Sequence, residues 1–195
     1  MAQAIHPNDA GVLDALQAQI RECFGRAAYS HKTHEKCADI YQGRLRILKI
    51  TQIALSAATT TGLFVAIIGE NQLAAILAAI ASTCLLALNT YTKEHDLGKL
   101  AQQHATSAGD LWDVRESYIS LLTDIIGGNV GLGQVREKRD DLQESLKAIY
   151  QAAPRTLPKA YREAQRALQL NEELTFSDAE IDMMLPEALR HGEKD

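Results

Sequence analysis

Charge is almost absent from the middle of this chain. Of 20 Lys+Arg and 25 Asp+Glu in 195 residues, only Glu70 falls between Ile50 and Thr92. A soluble core helix normally shows charge every turn or two on its wet face, so this stretch does not read as one. Strand-type alternation is missing too. With aromatics at 5% and Ala, Leu and Ile dominant, the composition favours helix and argues against a sheet. The three cysteines, Cys23, Cys37 and Cys84, are odd in number and scattered, which excludes a disulfide framework and matches cytosolic thiol usage. The first forty residues hold no apolar core of signal-peptide type, so no cleaved secretion signal is expected. A net charge of -5 implies neither a general nucleic-acid grip nor a polyanionic tail. No Ser/His/Asp order, no carboxylate dyad with His and no Cys nucleophile with a local base stands out, so neither an enzyme nor a cofactor is expected.

What is present is a pair of uncharged runs, Ile50 to Gly69 and Leu73 to Thr92, separated by Glu70, Asn71 and Gln72. At about 1.5 Å per residue each run makes a helix of roughly 30 Å, the hydrocarbon thickness of a bilayer. The sequence therefore predicts membrane helices over about 50–69 and 73–92, in contact with lipid. The rival reading is a soluble bundle with two buried Ala-rich helices. It draws on Thr51, Gln52, Ser56 and Thr59 to Thr61 in the first run, and on Ser82, Thr83, Asn89 and Thr90 in the second. Arg44, Arg46 and Lys49 precede the pair, Lys93 and Lys99 follow it, and the tip has no positive residue. By the positive-inside rule both arms, and both termini, lie in the cytoplasm.

The polar residues inside the runs are clustered. At 100° per residue Thr51, Gln52, Ser56, Thr59 and Thr60 share one half of the first helix, and Ser82, Thr83, Asn89 and Thr90 one side of the second. Small residues run beside them at four-residue spacing: Ala54, Ala58 and Gly62 in one helix, Ala75, Ala79 and Thr83 in the other. Such spacing lets helices approach closely and exchange hydrogen bonds. Two uses stay open: glue within the hairpin or its homo-oligomer, or a water-filled path lined by Gln52, Ser56, Thr59, Ser82 and Asn89. A lone two-helix hairpin encloses no pore, so conduction requires oligomerisation.

The N-terminal arm places Leu13, Leu16, Ile20, Phe24, Ala27, Ala38, Tyr41, Leu45 and Leu48 at helical spacing, with His31 and His34 on the same stripe. One or two amphipathic helices are expected to lead into the first run. After the second run the pattern continues through Leu97, Leu100, His104, Ala108, Leu111, Trp112, Arg115, Ile119, Leu122 and Ile126, and stops at Gly127-Gly128-Asn129-Val130-Gly131-Leu132-Gly133. Val135, Leu142, Leu146 and Ile149 mark a further helix folding back. The expected fold is all-α: a transmembrane hairpin continuous with a long-helix cytoplasmic bundle over residues 1–153. Residues 154–195 form a C-terminal helical appendage, with a helix from about Lys159 to Leu170 after Pro158 and a capping box at Ser177-Asp178-Ala179-Glu180.

Three groups invite chemistry. His31, His34 and Cys37 make H-x-x-H-x-x-C, but the first and third lie about 240° apart on a helix and no second cluster closes a shell, so no metal site is expected. Gly131 and Gly133 supply G-x-G after a helix, without the Lys-Ser/Thr of a phosphate loop. Trp112, Arg115, Glu116 and Tyr118 form the most aromatic patch of the polar part. They read as bundle packing or, through Trp112, Arg115 and Tyr118, as a contact for a signal or partner.

Phe24-Gly25-Arg26-Ala27-Ala28 ahead of a short-looped uncharged pair, then Leu111-Trp112-Asp113-Val114-Arg115-Glu116-Ser117-Tyr118-Ile119-Ser120-Leu121-Leu122-Thr123-Asp124 on a long helix, resembles the SLATT family, the two-transmembrane effectors associated with SMODS nucleotidyltransferases and SLOG domains. The resemblance covers residues 12 to 150 and leaves 154 to 195 outside. It implies a membrane effector of a bacterial antiviral (abortive infection) system in the inner membrane. Such an effector is pore-forming or membrane-perturbing, and is triggered by a partner such as a nucleotidyltransferase or reverse transcriptase. It brings no catalytic residues. Two other classes compete with it: a passive membrane anchor or scaffold, and a soluble helical interaction module.

Overall fold

The computed structural model describes residues 7–190; residues 1–6 and 191–195, the outer ends of the two expected segments, lie outside the described residues. All regular elements among the described residues are helical: α1 (Pro7–Ile68), α2 (Gln72–Glu94), α3 (Leu97–Ile126), α4 (Leu132–Ala152), α5 (Pro158–Gln169), α6 (Asp178–Met184) and a closing 3-10 turn over Glu187–Leu189. The N-terminal arm and the first uncharged run are one helix of 62 residues, on the order of 90 Å long. Pro7 is tolerated in its first turn, and no proline follows until Pro154, so nothing in the sequence kinks it.

The tip between α1 and α2 is a turn in which Glu70 takes the left-handed conformation (φ 48°). Asn71 then caps α2 by accepting from the Ala74 N–H at 3.1 Å. At the far end Asp96 caps α3 through the Lys99 N–H at 2.8 Å, so α2 and α3 are two helices rather than one continuous rod. The glycine cluster ends α3 as expected. Gly128 sits at φ +67°, where a side chain is strained, and α4 begins at Leu132.

Away from the uncharged runs, α3 lies along α1. Leu16, Ile20, Cys23 and Ala27 interlock with Val114, Tyr118, Leu121 and Ile125, and Val135 of α4 closes the cluster. A second cluster joins Cys37 and Tyr41 to Ala101 and to Ala160 of α5. α5 presents Ala160, Ala164 and Ala167, at spacings of four and three and all without exposed surface, so it beds onto α1 by an all-alanine face. The expected appendage therefore rests on the long helix through α5, while α6 buries none of its residues.

Candidate functional site

α1 and α2 pack side by side along the uncharged runs. The partly covered positions are Gln52, Leu55, Thr59, Gly62 and Ala66 on one helix, and Ala74, Ala81, Leu85, Leu88 and Thr92 on the other, with Ala78 fully buried. Closest approach is at Gly62, where an added Cβ would stand 3.0 Å from the Ala78 Cβ and 3.5 Å from the Ala74 carbonyl oxygen. A methyl there would press on Ala78 and require the neighbouring helix to give by a few tenths of an ångström. The small-residue ladder is thus realised at Gly62 alone. Ala54, Ala58, Ala75 and Ala79 are exposed and look away from the seam. The register that fills it is Ala74–Ala78–Ala81.

The polar residues of the runs sort into three kinds. Thr51, Thr59, Thr60, Thr83 and Thr90 each donate to the carbonyl four residues back at 2.8–3.0 Å, which satisfies the hydroxyl without water. Gln52 reaches across the seam, its Nε2 donating to Asn89 Oδ1 at 3.0 Å and to Thr92 Oγ1 at 3.2 Å. Ser56 and Ser82 are exposed, and their hydroxyls make no hydrogen bond among the described residues. Ser56, Thr60, Thr61 and Asn89 line an open groove with Lys49, Gln52, Ile53 and Leu85 on one flank of the pair. Of the five residues considered for a polar path, Gln52, Ser56 and Asn89 meet in this groove. Thr59 lies in the seam, and Ser82 stands apart.

Nearer the arms, α1 and α3 enclose histidines. His34 and His104 face each other through Nδ1 atoms 3.0 Å apart, and the Tyr41 ring stacks on His104 at 5.5 Å between centroids. His31 Nδ1 meets the Ala108 carbonyl at 2.9 Å, and His104 Nε2 is buried without a partner. Burial, reinforced by His104 and His31, pushes His34 down to about 4, and burial also lowers His104. Cys37 turns away from these rings and accepts from the Leu157 N–H at 3.3 Å; burial raises its thiol. His31, His34 and Cys37 therefore take three different protein partners, and no group of three metal-capable side chains converges among the described residues. His104 is the member that sequence reading left as an ordinary stripe position. The signal for it was a polar ring at a core position on both helices.

Beside the histidines, Glu173, just past α5, reaches back to α1. Its carboxylate accepts from Lys32 Nζ at 2.8 Å and Lys36 Nζ at 3.2 Å, and Gln169 Nε2 donates to the Tyr29 hydroxyl at 2.7 Å. The Lys32 hydrogen bond leads in holding the Glu173 carboxyl down at about 2. Although burial opposes it, the carboxylates of Glu173 and Glu35 hold Lys32 above its ordinary value. We expect Glu173→Gln to release this strap, so that limited proteolysis cuts between Gln169 and Phe176 several-fold faster while helix content is unchanged.

Trp112, Arg115 and Tyr118 are not brought together. Tyr118 is enclosed in the α1–α3 core, its phenol pushed up to about 12 chiefly by burial. Trp112 is 48% exposed, and Arg115 lies at the flank in an ion pair with Glu116.

Both uncharged runs sit in helices long and apolar enough to cross a membrane, and 0% and 6% of the two stretches are buried within the fold. A soluble core helix would be mostly covered. A family model described as SMODS and SLOG-associating 2TM effector domain family 4 matches residues 16–180. The chain belongs to this SLATT family. The match runs past the Pro154–Pro158 linker, so α5 falls inside the family's span rather than outside it, as the resemblance in sequence had it. Neither the curated proteins nor the solved structures contain a match. A SLATT chain is a two-transmembrane effector associated with SMODS and SLOG defence systems.

Proposed function

We propose that this SLATT chain is an inner-membrane effector of a bacterial antiviral system, with both termini cytoplasmic, and that it acts by assembling its α1–α2 hairpins into a pore or a membrane-perturbing oligomer. The observation that carries this reading is the flank groove of Ser56, Thr60, Thr61 and Asn89. The Thr60 hydroxyl is bonded within α1 and the Asn89 oxygen across the seam, yet the polar surface of the groove is costly against hydrocarbon and favourable against another polar helix face or water. A second hairpin laid on this groove would cover it or wet it. The arms hold the hairpins in one arrangement, and a partner such as a nucleotidyltransferase or reverse transcriptase supplies the signal that shifts the population.

One observation favours the passive anchor instead. The Gln52–Asn89–Thr92 bonds close within a single hairpin, which is what glue does. The two readings separate on Ser56→Leu with Asn89→Leu. A polar path predicts that growth arrest and membrane depolarisation on triggering or overexpression are lost at unchanged protein level and oligomer size. A passive anchor predicts no depolarisation in the parent chain either, and glue at about 0.6 kcal/mol per bond predicts only weaker assembly in the double variant. Full depolarisation in the double variant removes these residues from any path.

A further inference from the structure

The flank groove of the hairpin contains a single charged side chain. Lys49 lines it together with Gln52, Ser56, Thr60, Thr61 and Asn89, and no carboxylate does. Lys49 is exposed, makes no ion pair among the described residues, and stands at the end of the groove where α1 passes into its polar arm. The rows that build the groove carry the same sign further out. Arg46 lies seven residues before Ile53 and Lys93 four after Asn89, so each falls within about 40° of a lining position. Both are exposed and without an ion pair among the described residues. The acids of this end stand off. Glu94 lies about 140° round α2 from Asn89, and Asp39 about 10 Å further out along α1 than Arg46. The Asp96 carboxylate is used on the Lys99 N–H at 2.8 Å.

The neutral groups of the groove do not choose a sign. Hydroxyls such as those of Ser56 and Thr61 serve cations and anions alike. The Thr92 hydroxyl donates to the Asn89 carbonyl at 3.0 Å, so the group that meets its oxygen at 3.2 Å is a donor, and this fixes the Gln52 amide with Nε2 towards it. Nε2 also takes up Asn89 Oδ1. What is left is a donor, Asn89 Nδ2, on an exposed side chain and an acceptor, Gln52 Oε1, on a half-buried one. At the far end of the hairpin Glu70 is about 14 Å beyond Thr61, more than the roughly 8 Å over which physiological salt screens exposed charges. The fixed charge of the groove is therefore that of Lys49.

We infer that the polar path of the assembled hairpins conducts small anions, and that Lys49 selects them. The inference rests on the assembly reading above and adds the class of ion and the residue that sorts it. Copies related by rotational symmetry repeat the groove around one axis, so each brings its Lys49 to the same level of the path. A ring of ammonium groups at a pore mouth gathers anions and turns cations away. A unit charge at contact distance in water changes the local population of an ion about fivefold, so chloride should pass about fivefold faster than potassium.

The test uses the full chain, overexpressed and patch-clamped in giant spheroplasts across a KCl gradient, with cells lacking the chain as the blank. The reversal potential gives the chloride-to-potassium permeability ratio, expected at about five. Lys49→Cys, with Cys84→Ser as background and the buried Cys23 and Cys37 left in place, should bring the ratio towards one. In the same patch a cationic methanethiosulfonate should restore chloride preference and an anionic one should turn it to potassium, which keeps folding and assembly constant across the comparison. No current from the parent chain overturns the assembly reading and this inference with it. A parent current that prefers potassium, or neither ion, overturns this inference alone. A ratio that neither reagent moves, or a complete loss of current in Lys49→Cys, overturns the role of Lys49.

Discussion

Gly62→Leu forces α1 and α2 apart. A Cβ at this position already meets the Ala78 Cβ at 3.0 Å, and three further carbons have nowhere to go but into the Ala74–Ala78 backbone. Overpacking of a tight contact costs about 1–3 kcal/mol. Here the contact lies mid-run, so the splay reaches the Gln52–Asn89 bond as well. The measurement is oxidative crosslinking of a Gln52→Cys/Asn89→Cys pair, which should fall by about an order of magnitude in Gly62→Leu. Gly62→Ala should fall less, and adding Ala78→Gly should restore it by returning the missing space. Ala58→Leu, on the same four-residue ladder but facing outward, should leave this crosslink unchanged. Equal yields in Gly62→Leu and Ala58→Leu would show that Gly62 is not the point of closest approach.

That contrast between Gly62 and Ala58 marks how far the sequence could be read. Periodicity places a residue on a face to within a third of a turn, and all the small residues fall on a plausible face. Which of them touches the other helix depends on a register that the tip sets. Glu70 in a left-handed conformation and the Asn71 cap choose Ala78, rather than Ala75 or Ala79, to face Gly62. The helices themselves were legible because charge, glycine and proline punctuate them. The break between α2 and α3 was harder, because it rests on one Asp96 cap in a polar stretch without glycine or proline, and helical spacing resumes at once from Leu97. Nothing periodic links Glu173 to Lys32, so the strap was illegible. In α3 the spacing read from Trp112 through Arg115, Ile119 and Leu122 to Ile126 favoured the outer side; the face buried in the structure is the neighbouring one of Leu111, Val114, Tyr118, Leu121 and Ile125, and either row has helical spacing.

Mild acid weakens the α1–α3 contact, and His34 is the cause. In the folded chain the His34 and His104 Nδ1 atoms share one proton between them over 3.0 Å, so one ring donates and the other accepts. A further proton turns the acceptor into a second donor and places a charge among buried groups. Around the pair, Tyr41 stacks on His104, His31 lies beside His34 with Glu35 Oε1 at 3.6 Å from its Nε2, and the cleft bordering His34 offers Ser30, Thr33, Tyr150, Tyr161 and the cationic Arg155.

The folded state therefore holds His34 neutral down to about 4, whereas the unfolded chain takes up its proton near 6.5. Between these values the unfolded state binds more protons, so stability rises with pH and is lost as pH falls from 6.5 towards 4. At 1.36 kcal/mol for each pH unit of that window the loss is about 3 kcal/mol. Glu173 acts in a lower window, with its contribution present above about 4.5 and lost as pH falls towards about 2. Thermal unfolding of the full chain in nanodiscs should therefore show two acid limbs. His34→Gln should flatten the limb between pH 6.5 and 4.5 and leave the lower one. Glu173→Gln should do the reverse. An upper limb that persists unchanged in His34→Gln would assign it to another group and overturn the role of the histidine pair.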